Sequence, residues 1–236
     1  MHQTISTQDR IRTFGIILDM TFLLTSNGLK GKLTDIFPTL LRKPASGNFV
    51  AFDITAAYSD EDNPTWFEKF KNQLRQQGIT NIEDLDLRSK NQKEIEDIFD
   101  RSDIIFVNGG NTFFLLDWMR KSGFDKALKK FLSEDKLYVG VSAGGIVVTP
   151  NISIAGVESG DPNNIGMQDF TGLNIVDFEF SPHVPDMVSY DSVEEYSKTT
   201  PHKVYAVDDY AAVLVQDDKV SVIGDGKYKI YNEKSL

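Results

Sequence analysis

The sequence predicts an α/β fold: a mainly parallel central sheet with helices on both faces. Three observations carry this. Short apolar strands alternate with helical stripes through the first two thirds of the chain. The runs 103–107 and 136–141 are almost wholly apolar, as strands at the centre of a parallel sheet are. The last third then turns to closely spaced β-rich segments. The strand–helix–strand crossovers are expected to be right-handed.

Thr21 to Thr25 reads as the first strand, closed by Ser26-Asn27-Gly28. Between Gly31 and Lys43, Leu33, Ile36, Phe37, Leu40 and Leu41 form a helical stripe despite Pro38. Asn48 to Ile54 is a short β-rich run. A helix is expected from Asn63-Pro64, carrying Trp66, Phe67, Phe70 and Leu74, with Gly78 as its stop. Ile82 to Leu87 alternates as a strand, and Gln92 to Phe99 reads as a short helix. Asn111 to Lys121 and Phe124 to Leu132 are helical and split at Gly123. Beyond the second central strand, Asn174 to Phe180, Val204 to Val207, Ala211 to Val215 and Lys219 to Ile223 read as strands. Ile223-Gly-Asp-Gly-Lys227 reads as a hairpin turn into a final strand, Tyr228 to Tyr231.

Residues 1–19 are set apart as an N-terminal appendage, with a strand at Phe14 to Leu18 as the competing reading. No Pro/Ser-rich linker or repeat divides the rest, so residues 20–236 read as one domain.

Composition removes several classes of function. Cysteine is absent, which excludes disulfides, thiolate metal sites, iron–sulfur clusters and a cysteine nucleophile. Histidine occurs only at 2, 183 and 202, too few for a His-rich metal site, and no metal or cofactor is expected. The net charge of −10 and the lack of a long basic run argue against nucleic acid and anionic membrane as partners. No apolar run approaches the roughly 18 residues of a membrane span. Thr13 to Leu24, interrupted by Asp19, lacks the cleavage site of a signal peptide, so a cytoplasmic protein is expected.

The sharpest motif is Gly140-Val-Ser142-Ala143-Gly144, directly after a buried strand. G-x-S-x-G in a strand–turn–helix context exposes the serine Oγ above a sheet. Small neighbours permit the tight turn, and the N–H of Ala143 then points to where an oxyanion would form. Asn108-Gly109-Gly110-Asn111-Thr112 follows the other central strand, so the two loops share one rim. Its glycines leave N–H groups unobstructed, while Asn111 or Thr112 is suited to cap the next helix. It has neither the Gly-Lys-Ser/Thr of a P-loop nor the G-x-G-x-x-G spacing.

Elimination leaves His183 as the base, because His2 lies in the appendage and His202 precedes a strand on a solvent-facing turn. Pro182 and Pro185 restrict the backbone around His183. A third group must orient the imidazole. Either Asp208 or Asp209, at the end of a short strand, could serve.

Phe106-Val-Asn-Gly-Gly-Asn-Thr112, Gly140-Val-Ser-Ala-Gly144 and Ser181-Pro-His183 together resemble the peptidase E-like serine peptidases, the aspartyl dipeptidase and cyanophycinase group. The resemblance spans about Met20 to Leu214, with Asp161-Pro-Asn163 and Gly172-Leu173 also matching. It implies a class I glutaminase-like three-layer sandwich with a C-terminal β-hairpin. It also implies a triad of Ser142, His183 and Asp209, with Gly110 and Ala143 in the oxyanion hole and Asn111 beside it. The family acid is often Glu; here it is Asp.

A serine hydrolase acting on short peptides is thus the expected function, as a monomer or homodimer. An esterase or amidase with the same triad, or a catalytically silent binding protein on this fold, are the alternatives. Aspartyl dipeptidases hold the substrate carboxylate with an arginine after the histidine, and this chain has none beyond Arg120. Arg42, Arg75, Arg88 and Arg101 are expected on the surface. Lys198 and Lys203 could supply weaker point charges. Asp186, Asp191, Glu194 and Glu195 would repel an acidic side chain if they lined the pocket. A neutral or basic first residue is therefore expected.

Overall fold

The computed structural model describes residues 21–59, 64–132, 134, 136–216 and 219–233. The N-terminal appendage, the strand considered at 14–18 and the helix start at Asn63 lie outside these. Five strands, β1 (Thr21–Thr25), β2 (Phe49–Asp53), β3 (Asn81–Leu85), β4 (Ile104–Val107) and β5 (Leu137–Val141), run parallel in the order β3-β2-β4-β5-β1. An antiparallel hairpin, β8 (Ala211–Gln216) and β9 (Lys219–Gly224), extends the sheet beyond β1. A second sheet holds β6 (Phe178–Ser181) and β7 (Lys203–Val207) in parallel, with β10 (Tyr228–Tyr231) antiparallel to β7.

Alternation along each central strand sends successive side chains to opposite faces. Phe22, Leu24, Ile105, Val107 and Tyr138 enter one core; Leu23, Ile104, Phe106, Val139 and Val141 enter the other. Helices α3 (Gln92–Arg101), α4 (Thr112–Ser122), α5 (Phe124–Phe131) and α6 (Ala143–Ile146) bury apolar residues in the first core, as does the second sheet. Helices α1 (Leu33–Ile36) and α2 (Glu68–Gln76) cover the second. Helix α7 (Tyr190–Ser197) packs against the second sheet. The architecture is the expected three-layer α/β sandwich with a mainly parallel sheet.

Four local readings change. Pro38 has no N–H to donate, and the stripe from 31 to 43 splits into α1 and a 3₁₀ turn, Phe37–Leu40. Helix α2 begins at Glu68 rather than next to Pro64. The strand expected from Asn174 shrinks to β6. The N–H groups of Leu173 and Ile175 instead donate to the carbonyls of Val147 and Val148 (2.8 and 2.9 Å), which ties this segment to the chain after α6. The Ile223–Lys227 turn makes no hairpin: β9 pairs with β8 and β10 with β7, so this turn carries the chain from one sheet to the other. The C-terminal hairpin is β8–β9.

At the carboxyl end of β2, Asp53 is fully buried. Its Oδ1 accepts from Thr55 N at 2.8 Å, while Oδ2 has no partner among the described residues. Burial pushes its pKa up to about 7, against the hydrogen bonds from Thr55. The folded protein therefore holds a proton there that the unfolded chain releases near pH 4. Stability contributed by the neutral carboxyl is present at low pH and is lost as pH rises from about 4 through 7, at up to about 1.4 kcal/mol per unit. Asp53→Asn, neutral throughout, is expected to remove this slope. Chemical denaturation of both proteins from pH 5 to 8 measures it, and parallel stability curves would refute it.

Candidate active site

The site forms at the carboxyl ends of β1, β4 and β5. Ser142, the residue after β5, has φ +50° and ψ −112°, a conformation rare for a non-glycine residue. Four hydrogen bonds fix the turn. Ser142 N donates to Thr25 O (2.8 Å), Gly145 N and Ile146 N donate to Ser142 O (2.8 and 3.1 Å), and the buried Tyr138 hydroxyl donates to Gly144 O (2.8 Å). A Cβ at Gly144 would lie 2.2 Å from the Val107 carbonyl oxygen, so only glycine lets α6 approach β4 this closely.

The second loop lies against the first. Gly110 has φ +127°, and a Cβ there would lie 2.4 Å from Ala56 O. Gly109 and Gly110 line the same cleft as Ser142. Ala143 is the first residue of α6, where an N–H has no acceptor within the helix. Asn111 also lines the cleft, but its side chain is engaged elsewhere. Its Oδ1 caps α4 by accepting from Phe114 N (3.0 Å), and its Nδ2 donates to Pro162 O (2.8 Å). The helix-capping reading of Asn111 thus describes its side chain better than a place beside an oxyanion.

His183 follows β6 and also has positive φ, +61°. Its N–H donates to Ser26 Oγ (3.0 Å), and the Ser26 hydroxyl reaches the carbonyls of Val207 (3.2 Å) and Asp208 (3.0 Å). One serine thereby joins the end of β1, the histidine loop and the end of β7. The imidazole bridges two residues: Nε2 lies 3.0 Å from Ser142 Oγ, and Nδ1 lies 3.1 Å from Asp209 Oδ1. With the proton on Nδ1, the serine hydroxyl donates to Nε2.

The two aspartates divide as their positions require. Asp208 turns to the backbone, accepting from Tyr210 N (2.8 Å) and Lys227 N (2.7 Å). Asp209 faces His183, and its Oδ2 accepts from Asn27 Nδ2 (2.7 Å) and Lys30 Nζ (2.6 Å). Burial opposes its ionisation, but the hydrogen bonds from Lys30, Asn27 and His183 outweigh this and hold its pKa below the usual carboxylate range.

Ser142, His183 and Asp209 are thus brought together, with Gly110 and Ala143 beside them. Sequence reading missed Ser26, Asn27 and Lys30, all within the turn after β1 or just beyond it. The G-x-S-x-G pattern advertises its serine, whereas a Ser-Asn-Gly turn resembles any other.

The cleft has a volume of about 340 Å³. Of the charged residues considered for specificity, Asp186, Asp191, Glu194, Glu195, Lys198 and Lys203 do not line it. Lys198, just after α7, pairs with Glu195 at 2.5 Å. No arginine lines the cleft among the described residues. Its walls instead present Lys69 and Asp161, with Trp66, Phe70, Met187 and Val188 as apolar surface.

Known proteins share this fold. Over 206 residues the chain is 30% identical to an uncharacterized peptidase of Pasteurella multocida, covering 84% of this chain and 97% of that one. A solved Listeria monocytogenes structure assigned to peptidase E superposes with a TM-score of 0.75 at 25% identity, covering 87% of this chain and 98% of that one. A peptidase from an acI-B1 actinobacterium shares the fold, with a TM-score of 0.68 at 17% identity over 89% of each chain. The model of peptidase family S51 matches residues 22–223, a span that runs from β1 to β9 and contains Ser142, His183 and Asp209, and the chain belongs to that family.

Proposed function

We propose that this peptidase is a serine-type hydrolase that cleaves short peptides through Ser142, His183 and Asp209. The observation that carries the reading is the continuous hydrogen-bonded line from Ser142 Oγ through His183 to Asp209, with its serine on a strained turn. Ser142 Oγ attacks the peptide carbonyl carbon as His183 Nε2 takes its proton. Asp209, ionised and held by Asn27 and Lys30, stabilises the imidazolium. The N–H groups of Gly110 and Ala143 receive the oxyanion. Collapse of the tetrahedral adduct breaks the C–N bond, and His183 gives its proton to the departing amine. Water, deprotonated by His183, then attacks the acyl-enzyme ester and frees Ser142.

With no arginine among the described residues that line the cleft, strict aspartyl specificity is not expected. A bidentate guanidinium is the group suited to hold a buried carboxylate, and a lysine discriminates less by geometry. A neutral first residue fits this cleft.

Steady-state hydrolysis of Ala-Leu and Asp-Leu tests the reading. Ser142→Ala is expected to lower kcat by about 10⁴ or more without loss of fold. Near wild-type turnover would sink the mechanism. In the wild type, Asp-Leu is not expected to exceed Ala-Leu in kcat/KM by about a hundredfold, which is ~2.7 kcal/mol in the transition state.

The two aspartates give a second test. Asp209→Asn is expected to reduce kcat by about 10³ or more, since the imidazole loses both its tautomer lock and its counter-charge. Asp208→Asn keeps an acceptor for Tyr210 N and is expected to lower stability more than turnover. A larger kinetic loss at Asp208 would reverse the assignment.

A further inference from the structure

The cleft has two chemically different ends. Trp66, Lys69 and Phe70 belong to the start of α2 and the turn before it, on the sheet face that α1 and α2 cover. Ile146, Ile154, Ala155 and Val188 belong to the core of the opposite face, and Asp161 lines the cleft with them. Ser142, Gly109 and Gly110 lie between, at the rim of the sheet itself. A substrate with its reacting carbonyl at Ser142 therefore extends toward a cation on one side and an anion on the other.

The cation is placed to be used. Lys69 Nζ donates to Asn27 Oδ1 at 3.1 Å and lies 4.7 Å from the centre of the Phe70 ring. Both partners are neutral, and an ammonium has three N–H donors, so capacity remains for a ligand. Partial burial and the neighbouring Lys30 lower its pKa, against the pull of Asp209. Asp161 is anchored at the other end, where its Oδ2 accepts from Thr112 N (2.7 Å) in the first turn of α4. A short peptide carries its free carboxylate on the leaving portion. Lying across Ser142, such a peptide brings that carboxylate to the Lys69 end of the cleft.

We propose that Lys69, steadied by Asn27, binds the carboxylate of the substrate's carboxy-terminal residue, which makes the cleft a site for short peptides with a free carboxyl end on the leaving side. This rests on the reading of Ser142 as nucleophile. Asn27 then has two functions, since its Nδ2 donates to Asp209 while its Oδ1 accepts from Lys69. The carboxylate could instead come from an acidic side chain, and the test separates the two sources.

The test is calorimetric binding of Ala-Leu, Ala-Leu amide and Asp-Leu amide to Ser142→Ala protein, with and without Lys69→Gln or Lys69→Arg. Ala-Leu is expected to bind about tenfold more tightly than its amide. Lys69→Gln is expected to erase that ratio and Lys69→Arg to restore most of it. Equal binding of acid and amide, a ratio unmoved by Lys69→Gln, or binding of neither peptide would overturn the site. A Lys69-dependent gain for Asp-Leu amide over Ala-Leu amide would overturn the carboxy-terminal assignment in favour of the side chain. Wild-type turnover of Ala-Leu, lost in Ser142→Ala, reads the serine chemistry separately. Turnover without the acid-over-amide ratio removes the Lys69 site alone. The ratio without turnover supports the site and removes the serine reading.

Discussion

Ser142 is held at φ +50° and ψ −112°, and much of the molecule serves to keep it there. A non-glycine residue in such a conformation costs about 1–3 kcal/mol, so the surroundings must over-determine it. They do so from three directions. The ladder between β5 and β1 continues one residue further through Ser142 N and Thr25 O. The first turn of α6 closes onto the Ser142 carbonyl. From within the core, the Tyr138 hydroxyl holds the Gly144 carbonyl. The parallel sheet then brings the Gly109–Gly110 loop of β4 alongside, because β4 and β5 are neighbours and end at the same rim.

A second constraint brings the histidine to that serine. His183 and Asp209 come from the second sheet and the turn that leaves it, and nothing in the β4–β5 pair requires them to face Ser142. Ser26 supplies the link: its Oγ accepts the His183 N–H and its hydroxyl reaches the carbonyls at the end of β7. The Asp209 carboxylate is then used on both oxygens, one for His183 and one for Asn27 and Lys30. An aspartate with both oxygens engaged cannot rotate freely, which fixes its orientation toward His183. The three residues at 26, 27 and 30 are thus the outer support of a candidate site whose Ser142, His183 and Asp209 all lie beyond 141.

Much of this was legible in the sequence, for identifiable reasons. The central strands announced themselves by unbroken apolar runs, and the serine by glycines on either side of it at the end of such a run. His183 followed by elimination, since the chain has so few histidines. The residues alone leave Asp208 and Asp209 open and the resemblance favours Asp209; in the structure Asp208 accepts from the backbone of Tyr210 and Lys227. Ser26, Asn27 and Lys30 stayed hidden because their roles depend on segments about 180 residues away. Lys69 reads on its helix as a surface lysine, and its contact with Asn27, 42 residues earlier, is invisible in the local pattern. The path of the C-terminal strands was also illegible. Gly224-Asp-Gly226 suits a hairpin by composition, but the partners of β9 and β10 are set by which sheet edges stand open, and local sequence carries no record of that.

Whether Ser142 is an activated nucleophile is read most directly from the mass of the intact protein after exposure to a fluorophosphonate, followed by peptide mapping. Such reagents phosphonylate a serine whose hydroxyl is activated by a neighbouring base and whose oxyanion is held. A single adduct on Ser142 is expected, absent in Ser142→Ala and strongly slowed in Asp209→Asn. An unmodified protein, or an adduct on another serine such as Ser26 or Ser181, would contradict it.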